Sequence, residues 1–249
     1  MEILQFDNYN DLSRQASDDV KELMNLKKDP LICVASGDSP IGLYKNLVNQ
    51  VSNNKLDISG WSFVGLDEWI GLNGSDEGSC RFHLNNQLFD PLQINENKLY
   101  FFDGRKRDLE KECHDAENFI AQHGGIHVAI LGLGLNGHLG MNEPKTSALS
   151  RTHITNLDPT TAETGQKYFK EKQVLKEGIT LGLGTLMESE NIVLLANGIK
   201  KAGIVKEMLE GEISEEVPAS LLRKHANVRI YLDAEAASLL EPATFSLNQ

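Results

Sequence analysis

Cysteine is scarce in this chain, and what there is does not pair. Cys33, Cys80 and Cys113 are the only three, and no two of them form a C-x-x-C step. An odd count at long spacing fits a reducing compartment rather than a disulfide framework. Basic residues are outnumbered, with 24 Lys and Arg against 36 Asp and Glu for a net charge of -12. No Lys/Arg stripe is present to neutralise a run of phosphates, so a nucleic-acid surface is not expected. Long apolar runs are missing as well. Nothing approaches the ~18 consecutive apolar residues of a membrane span, and the opening MEILQFDNYN lacks the charged-then-apolar pattern of a secretory leader. The expectation is a cytoplasmic protein that engages neither membrane nor nucleic acid. Metal signatures are also wanting. HExxH does not occur, and His123 and His127, four apart, are separated by the helix-ending pair Gly124 and Gly125.

What is present is an ordinary globular composition, 40% hydrophobic and 24% charged over 249 residues, long enough for a full α/β core. Apolar runs typical of buried strands fall at 2–6, 30–35, 61–66, 98–102, 126–131, 178–183, 191–196 and 228–233. Helical patterns lie between them at 10–26, 40–51, 108–122, 200–210 and 234–240. Alternation of this kind predicts one domain over residues 1–249, a single doubly wound, mostly parallel sheet with helices on both faces, Rossmann-like in outline. No linker, repeat or low-complexity segment interrupts it. The stretch 160–177 is polar and only weakly helical, and reads either as a lid over a site or as a surface helix.

Four motifs each follow a predicted strand, and a parallel sheet would gather them at one edge. LGLGLNGHLGMNEP, residues 131–144, places His138 and Glu143 on one glycine-rich loop, where glycines allow a ligand close to the backbone and a His/Glu pair can move protons. ASGDSP, residues 35–40, is a small-residue turn entering a helix, with Ser39 as the expected N-cap and Pro40 as the first helical residue. That geometry binds phosphate. LDEW, residues 66–69, carries Asp67 and Glu68. Neighbours in a strand point to opposite faces, so they are not a dyad, but one of them can serve as a general base. NGIKKA, residues 197–202, brings lysine to a strand end, where it can meet phosphate as a point charge. The formal GxGxxG at 132–137, with Asp158 21 residues beyond Gly137, is not read as a dinucleotide site, because the following HLGMNEPKTS cannot open a helix.

Together these segments, with GITLGLG at 178–184 and VPASLLRKH at 217–225, resemble the amino-sugar-6-phosphate deaminase/isomerase family, and within it the galactosamine-type branch. The GHLGMNEP loop is the specific part of the likeness. 6-Phosphogluconolactonases share the fold and the GH step without the NEP tail. The resemblance implies that Asp67 is the base that shifts a proton between C2 and C1, that His138 opens the sugar ring, and that Glu143 orients His138. It implies a phosphate cradle of Ser36, Gly37, Ser39 and Lys201, and no metal or organic cofactor. Asn136 stands where glucosamine-type enzymes usually carry Asp, and we include it among the catalytic candidates. Asp38 stands where the family prefers a small residue, so its carboxylate is expected to point away from phosphate. The lid arginine of some relatives has no counterpart, leaving Lys167 or Lys170 in its place. His153 and Thr155 replace basic residues of an allosterically regulated branch. The expected reaction is isomerisation and deamination of an amino-sugar 6-phosphate, galactosamine 6-phosphate to tagatose 6-phosphate and ammonia. The rivals are a glucosamine-6-phosphate deaminase giving fructose 6-phosphate, a lactonase, and a non-catalytic sugar-phosphate sensor. The expected partner is a small-molecule sugar phosphate, and the choice between monomer and homo-oligomer is left open.

Overall fold

The computed structural model describes residues 1–248. Seven strands form one parallel sheet. They are β1 (Glu2–Phe6), β2 (Leu31–Val34), β3 (Ser62–Gly65), β5 (Leu99–Tyr100), β6 (Val128–Gly132), β9 (Asn191–Ala196) and β10 (Val228–Asp233), in the order β1-β10-β9-β6-β2-β3-β5. Side chains alternate across this sheet as the two-residue strand period requires. Leu31 and Cys33 of β2 join the core on one face, with α4 (Leu109–Gln122) and α7 (Ala202–Glu210). Ile32 and Val34 join the other, with α1 (Tyr9–Asn25) and α2 (Ile41–Ser52). Central strands such as LICV are buried on both faces, which is why they read as unbroken apolar runs. Among the described residues no helix is long and apolar enough to cross a membrane.

The path of the chain matters for function. From β2 it moves outward through β3 to β5, and then returns to the opposite side of β2 as β6 before moving out again through β9. The loops that follow β2 and β6 therefore diverge, and a crevice opens between them at the carboxyl ends of the strands, the position where open α/β sheets hold ligands.

Beside the main sheet lies a smaller antiparallel one, ordered β4-β8-β7 and built from β4 (Asp67–Trp69), β8 (Glu177–Thr180) and β7 (His153–Asn156). The strand expected at 61–66 spans Ser62–Gly65, and at Gly65 the Phe101 ring occupies the space of a side chain, 2.3 Å from where a Cβ would sit. The chain then bends away, and Asp67, Glu68 and Trp69 pair with Thr180, Ile179 and Gly178. Strand β7 and the short helix α3 (Cys80–Leu84) were not foreseen in the sequence. The helix expected at 234–240 is a series of turns. The Asp233 side chain takes the N–H groups of Ala236 and Gly198, and only isolated three- and four-residue bonds follow, so no continuous helical ladder forms.

Candidate active site

The crevice is a cavity of about 780 Å³ whose walls include Ser36, Gly37, Asp38 and Ser39 after β2, Asp67 and Trp69 of β4, His138 and Gly140 after β6, and Lys201 after β9. All four strand-end motifs thus meet at one place. Glu143 and Asn136 stand behind this wall rather than in it, and reach the cavity through His138.

His138 sits in a loop that no helix follows, which removes the dinucleotide reading. Asp158 instead caps α5 (Pro159–Gly165) by accepting the Thr160 N–H at 2.8 Å. The ring of His138 lies over Gly134, where a Cβ would be 2.4 Å from its atoms; only glycine leaves room. Its Nδ1 is 3.0 Å from the Thr161 hydroxyl and 3.5 Å from Glu143 Oε2. Asn136 Nδ2 donates to the same Glu143 oxygen at 3.0 Å, and Asn136 Oδ1 accepts the His138 N–H at 3.2 Å. Burial pushes the Glu143 carboxyl up, but the hydrogen bond and charge of His138, with the donors Asn136 and Thr161, hold it below the ordinary value. Glu143 is therefore ionised beside an imidazole whose Nε2 is left for the cavity.

Asp67 and Glu68 face opposite ways, as their adjacency predicts. Glu68 is fully buried and accepts three backbone N–H groups, from Trp69 at 2.9 Å, Cys80 at 2.9 Å and Arg81 at 3.0 Å. It anchors α3 and has no role in the cavity. Asp67 is 8% exposed. Burial raises its pKa to about 6, against the lowering effects of a Cys80 hydrogen bond and the His138 charge. It is ionised at neutral pH and basic enough to take a proton.

At the other end of the cavity, Gly37 has φ of +113°, a left-handed conformation suited to glycine. The expected Ser39 cap is not made. Helix α2 starts one residue later, after Pro40, without a side-chain cap. The Gly42 N–H goes to the Tyr9 hydroxyl at 2.8 Å, and Ser39 Oγ donates to Asn197 Oδ1 at 3.0 Å instead. Lys201 precedes α7 in a 3-10 turn and donates to the Leu133 carbonyl. Burial first, and then the charge of Lys167, depress its pKa to about 8, with Asp38 opposing. Asp38 stands exposed at the cavity wall, bonded at 2.5 Å to Lys167 of the 160–177 segment. That segment does cover the site: Lys167 and Tyr168 line the cavity, and the Tyr168 hydroxyl lies 3.3 Å from where a Gly37 Cβ would be. Lys170 pairs with Glu77 and stands outside the cavity wall. Thr161 and Tyr168, which line the cavity, were missed in the sequence, since neither belongs to a strand-end motif. Among the described residues, no cluster of three His, Cys, Asp or Glu is arranged to hold a metal ion.

The doubly wound sheet and the glycine-flanked crevice fit comparison with known proteins. The chain belongs to the family of glucosamine-6-phosphate isomerases and 6-phosphogluconolactonases, whose sequence model it matches over residues 7–231. It is 38% identical, over 96% of its length and 99% of the relative's, to a glucosamine-6-phosphate deaminase of Clostridium botulinum strain Hall. A glucosamine-6-phosphate deaminase of Thermoanaerobacter pseudethanolicus is 36% identical, over 94% of this chain and 92% of the relative. Among solved structures, a monomeric glucosamine-6-phosphate deaminase superposes with a TM-score of 0.93 at 35% identity, covering 96% of this chain and all of that one. The 6-phosphogluconolactonase of Trypanosoma brucei superposes at 0.77 with 20% identity, over 96% of this chain and 98% of its own, which is a likeness of fold.

Proposed function

We propose that this protein isomerises and deaminates an amino-sugar 6-phosphate, releasing ammonia and a ketose 6-phosphate. The observation that carries the reading is the convergence of Asp67 and His138 on one cavity, borne by different sheets, opposite a lysine and a small-residue turn suited to phosphate. His138 Nε2 takes the proton of the anomeric hydroxyl and returns a proton to the ring oxygen, and the C1–O5 bond breaks to give the open-chain aldehyde. Glu143, Thr161 and Asn136 fix the imidazole through Nδ1 and the loop backbone. Asp67 takes the proton from C2, which the C2 ammonium and the C1 carbonyl acidify; O1 takes a proton to give the enolamine, and delivery of a proton to C1 with loss of one from the ammonium leaves the C2 iminium. Water adds to the resulting C2 iminium carbon, the C–N bond breaks, and ammonia leaves. The amine itself activates C2 in this scheme. Lys201, the Ser36 and Ser39 hydroxyls and backbone N–H groups of the 36–39 loop hold the phosphate as a remote anchor, which fixes C1 and C2 against the base. With an anchor remote from the reacting carbons, binding energy is available for positioning.

Glucosamine 6-phosphate is the substrate of first choice, supported by the activity for which the relatives at 36% and 38% identity are named. A second reading, galactosamine 6-phosphate, is favoured by Asn136, Trp69 and the segment GSC at 78–80, whose sequence resembles the galactosamine-type pattern. Of these, Trp69 and Cys80 line the cavity, while Asn136 is engaged with Glu143. The test is ammonia release from both epimers, with hydrolysis of 6-phosphogluconolactone as a control. We expect ammonia from the glucosamine epimer with the higher kcat/KM. A higher value for the galactosamine epimer reverses the substrate order, and lactone hydrolysis without ammonia release overturns the deaminase reading.

A further inference from the structure

The 160–177 segment meets the cavity at two ends, and one stiff piece of chain joins them. The first end is Thr161, 6% exposed, whose hydroxyl lies 3.0 Å from His138 Nδ1. Glu143 Oε2 is farther off at 3.5 Å, and Asn136 Nδ2 engages it from another side at 3.0 Å. The nearer partner of the imidazole thus comes from the covering segment and not from its own loop. The second end is Lys167 and Tyr168. Lys167 is bonded to Asp38 at 2.5 Å, and the Tyr168 hydroxyl lies 3.3 Å from where a Gly37 Cβ would be, so both bear on the 36–39 turn. Between the ends, α5 runs directly into a 3-10 turn, Gln166–Tyr168, with Gly165 and Gln166 both in right-handed helical conformation. Asp158 fixes the start of the helix by capping it. Trp69 fixes its end, with a ring carbon 3.0 Å from where a Gly165 Cβ would sit. From Thr161 to Tyr168 the rise is about 10 Å, at ~1.5 Å per helical residue.

We propose that Thr161 is a positioning residue that makes ring opening depend on the phosphate: an anion on the 36–39 turn seats the Lys167–Tyr168 end, and the helical strut carries that seating to Thr161 and so to the His138 ring. The proposal rests on reading His138 as the ring-opening group and the 36–39 turn as the phosphate site. For Nε2 to take the anomeric proton, Nδ1 must carry its own, and that proton needs an acceptor. Thr161 Oγ1 at 3.0 Å is within ordinary hydrogen-bond length, whereas Glu143 at 3.5 Å is beyond it. The ionised Glu143 favours the Nδ1–H tautomer by its charge, and the Thr161 hydroxyl sets the direction of the ring. A short helix packed against Trp69 does not shift at Tyr168 and stay still at Thr161, because close-packed structure transmits displacement. The phosphate therefore acts on kcat as well as on binding, since its seating completes the orientation of a reacting group.

The experiment compares wild type, Thr161→Val and Thr161→Ser. Valine keeps the shape and deletes the hydroxyl; serine keeps the hydroxyl. Ammonia release is measured from the preferred amino-sugar 6-phosphate, and from the matching free amino sugar with and without inorganic phosphate. Thr161→Val is expected to lose ~10–10²-fold in kcat with KM for the 6-phosphate little changed, and Thr161→Ser to recover most of that loss. Inorganic phosphate should raise wild-type turnover of the free amino sugar by about tenfold or more and leave that of Thr161→Val unmoved. The ¹⁵N resonance of His138 Nδ1, assigned by its absence from His138→Gln, should shift with inorganic phosphate in wild type and Thr161→Ser and stay fixed in Thr161→Val. A wild-type kcat in Thr161→Val, a serine variant as slow as the valine one, or a wild type that phosphate does not activate overturns the proposal. So does equal activation of wild type and Thr161→Val. A wild-type protein that releases no ammonia from either 6-phosphate epimer refutes the deaminase reading instead, and the ¹⁵N response to phosphate still decides whether Thr161 couples the turn to His138.

Discussion

Replacing Asp67 by asparagine should destroy activity and stabilise the fold at the same time. The change is nearly isosteric. It removes a carboxyl whose pKa burial has moved from 3.8 to about 6. The sign follows from proton binding. Between pH ~4 and ~6 the folded wild type holds a proton on Asp67 that the unfolded chain has released, so stability is lost as pH rises through that window. The shift of about two units corresponds to at most about 3 kcal/mol. Above pH ~6 the folded wild type carries the full cost of a buried anion and Asp67→Asn does not. For a chain of this size each kcal/mol is worth about 2–4 °C in Tm, so the variant should melt several degrees higher at pH 8 and together with wild type near pH 4. Ammonia release and deuterium exchange at C2 should fall by ~10²–10⁴. The assays are thermal melts from pH 4 to 8 and C2 exchange in D₂O. A Tm difference independent of pH refutes the burial argument. Near-normal exchange refutes the assignment of the base, and Glu68, with its carboxylate bound to three N–H groups, does not provide a substitute.

Two further substitutions separate the ends of the cavity. Lys201→Ala should weaken binding of the 6-phosphate by about 1.5–3 kcal/mol and leave the unphosphorylated amino sugar unaffected. In the wild type, affinity for inorganic phosphate should decline as pH rises through about 8, where Lys201 loses its proton. Equal losses for both sugars, by competition binding, would place the lysine away from phosphate. Gly134→Ala puts a Cβ 2.4 Å from the His138 ring. A displaced imidazole should cost ~10²-fold in kcat with little change in phosphate affinity, and an unaltered kcat would show that the ring is free to move.

The strand-end motifs were legible because each is local: an apolar run followed within a few residues by Gly, Asp, His or Lys. The opposed directions of Asp67 and Glu68 followed from strand geometry alone. The departure of β4 into a second sheet was not legible, since its partner β8 lies more than a hundred residues away and nothing near Leu66 announces it. Nor was α3, whose start depends on Glu68 reaching forward to Cys80 and Arg81. Sequence placed a cap on Ser39, but Asn197, brought from the end of β9, took that hydroxyl. It left Lys167 and Lys170 equal, and only the fold distinguishes a lysine against Asp38 from one against Glu77. In each of these cases a distant partner competes with a local preference.

The ion pair between Lys167 and Asp38 crosses the mouth of the crevice. Both side chains are substantially open to solvent, at 46% and 61%, and exposed pairs of this kind contribute ~1 kcal/mol at most. The tie across the doorway is thus comparable to thermal energy and weakens with ionic strength. A phosphate dianion arriving at the 36–39 loop offers Lys167 a denser charge than Asp38 does. On the proposed reading, with phosphate held at that loop, the lysine exchanges Asp38 for the substrate without leaving its segment, and the doorway is latched by the cargo itself rather than by the empty protein.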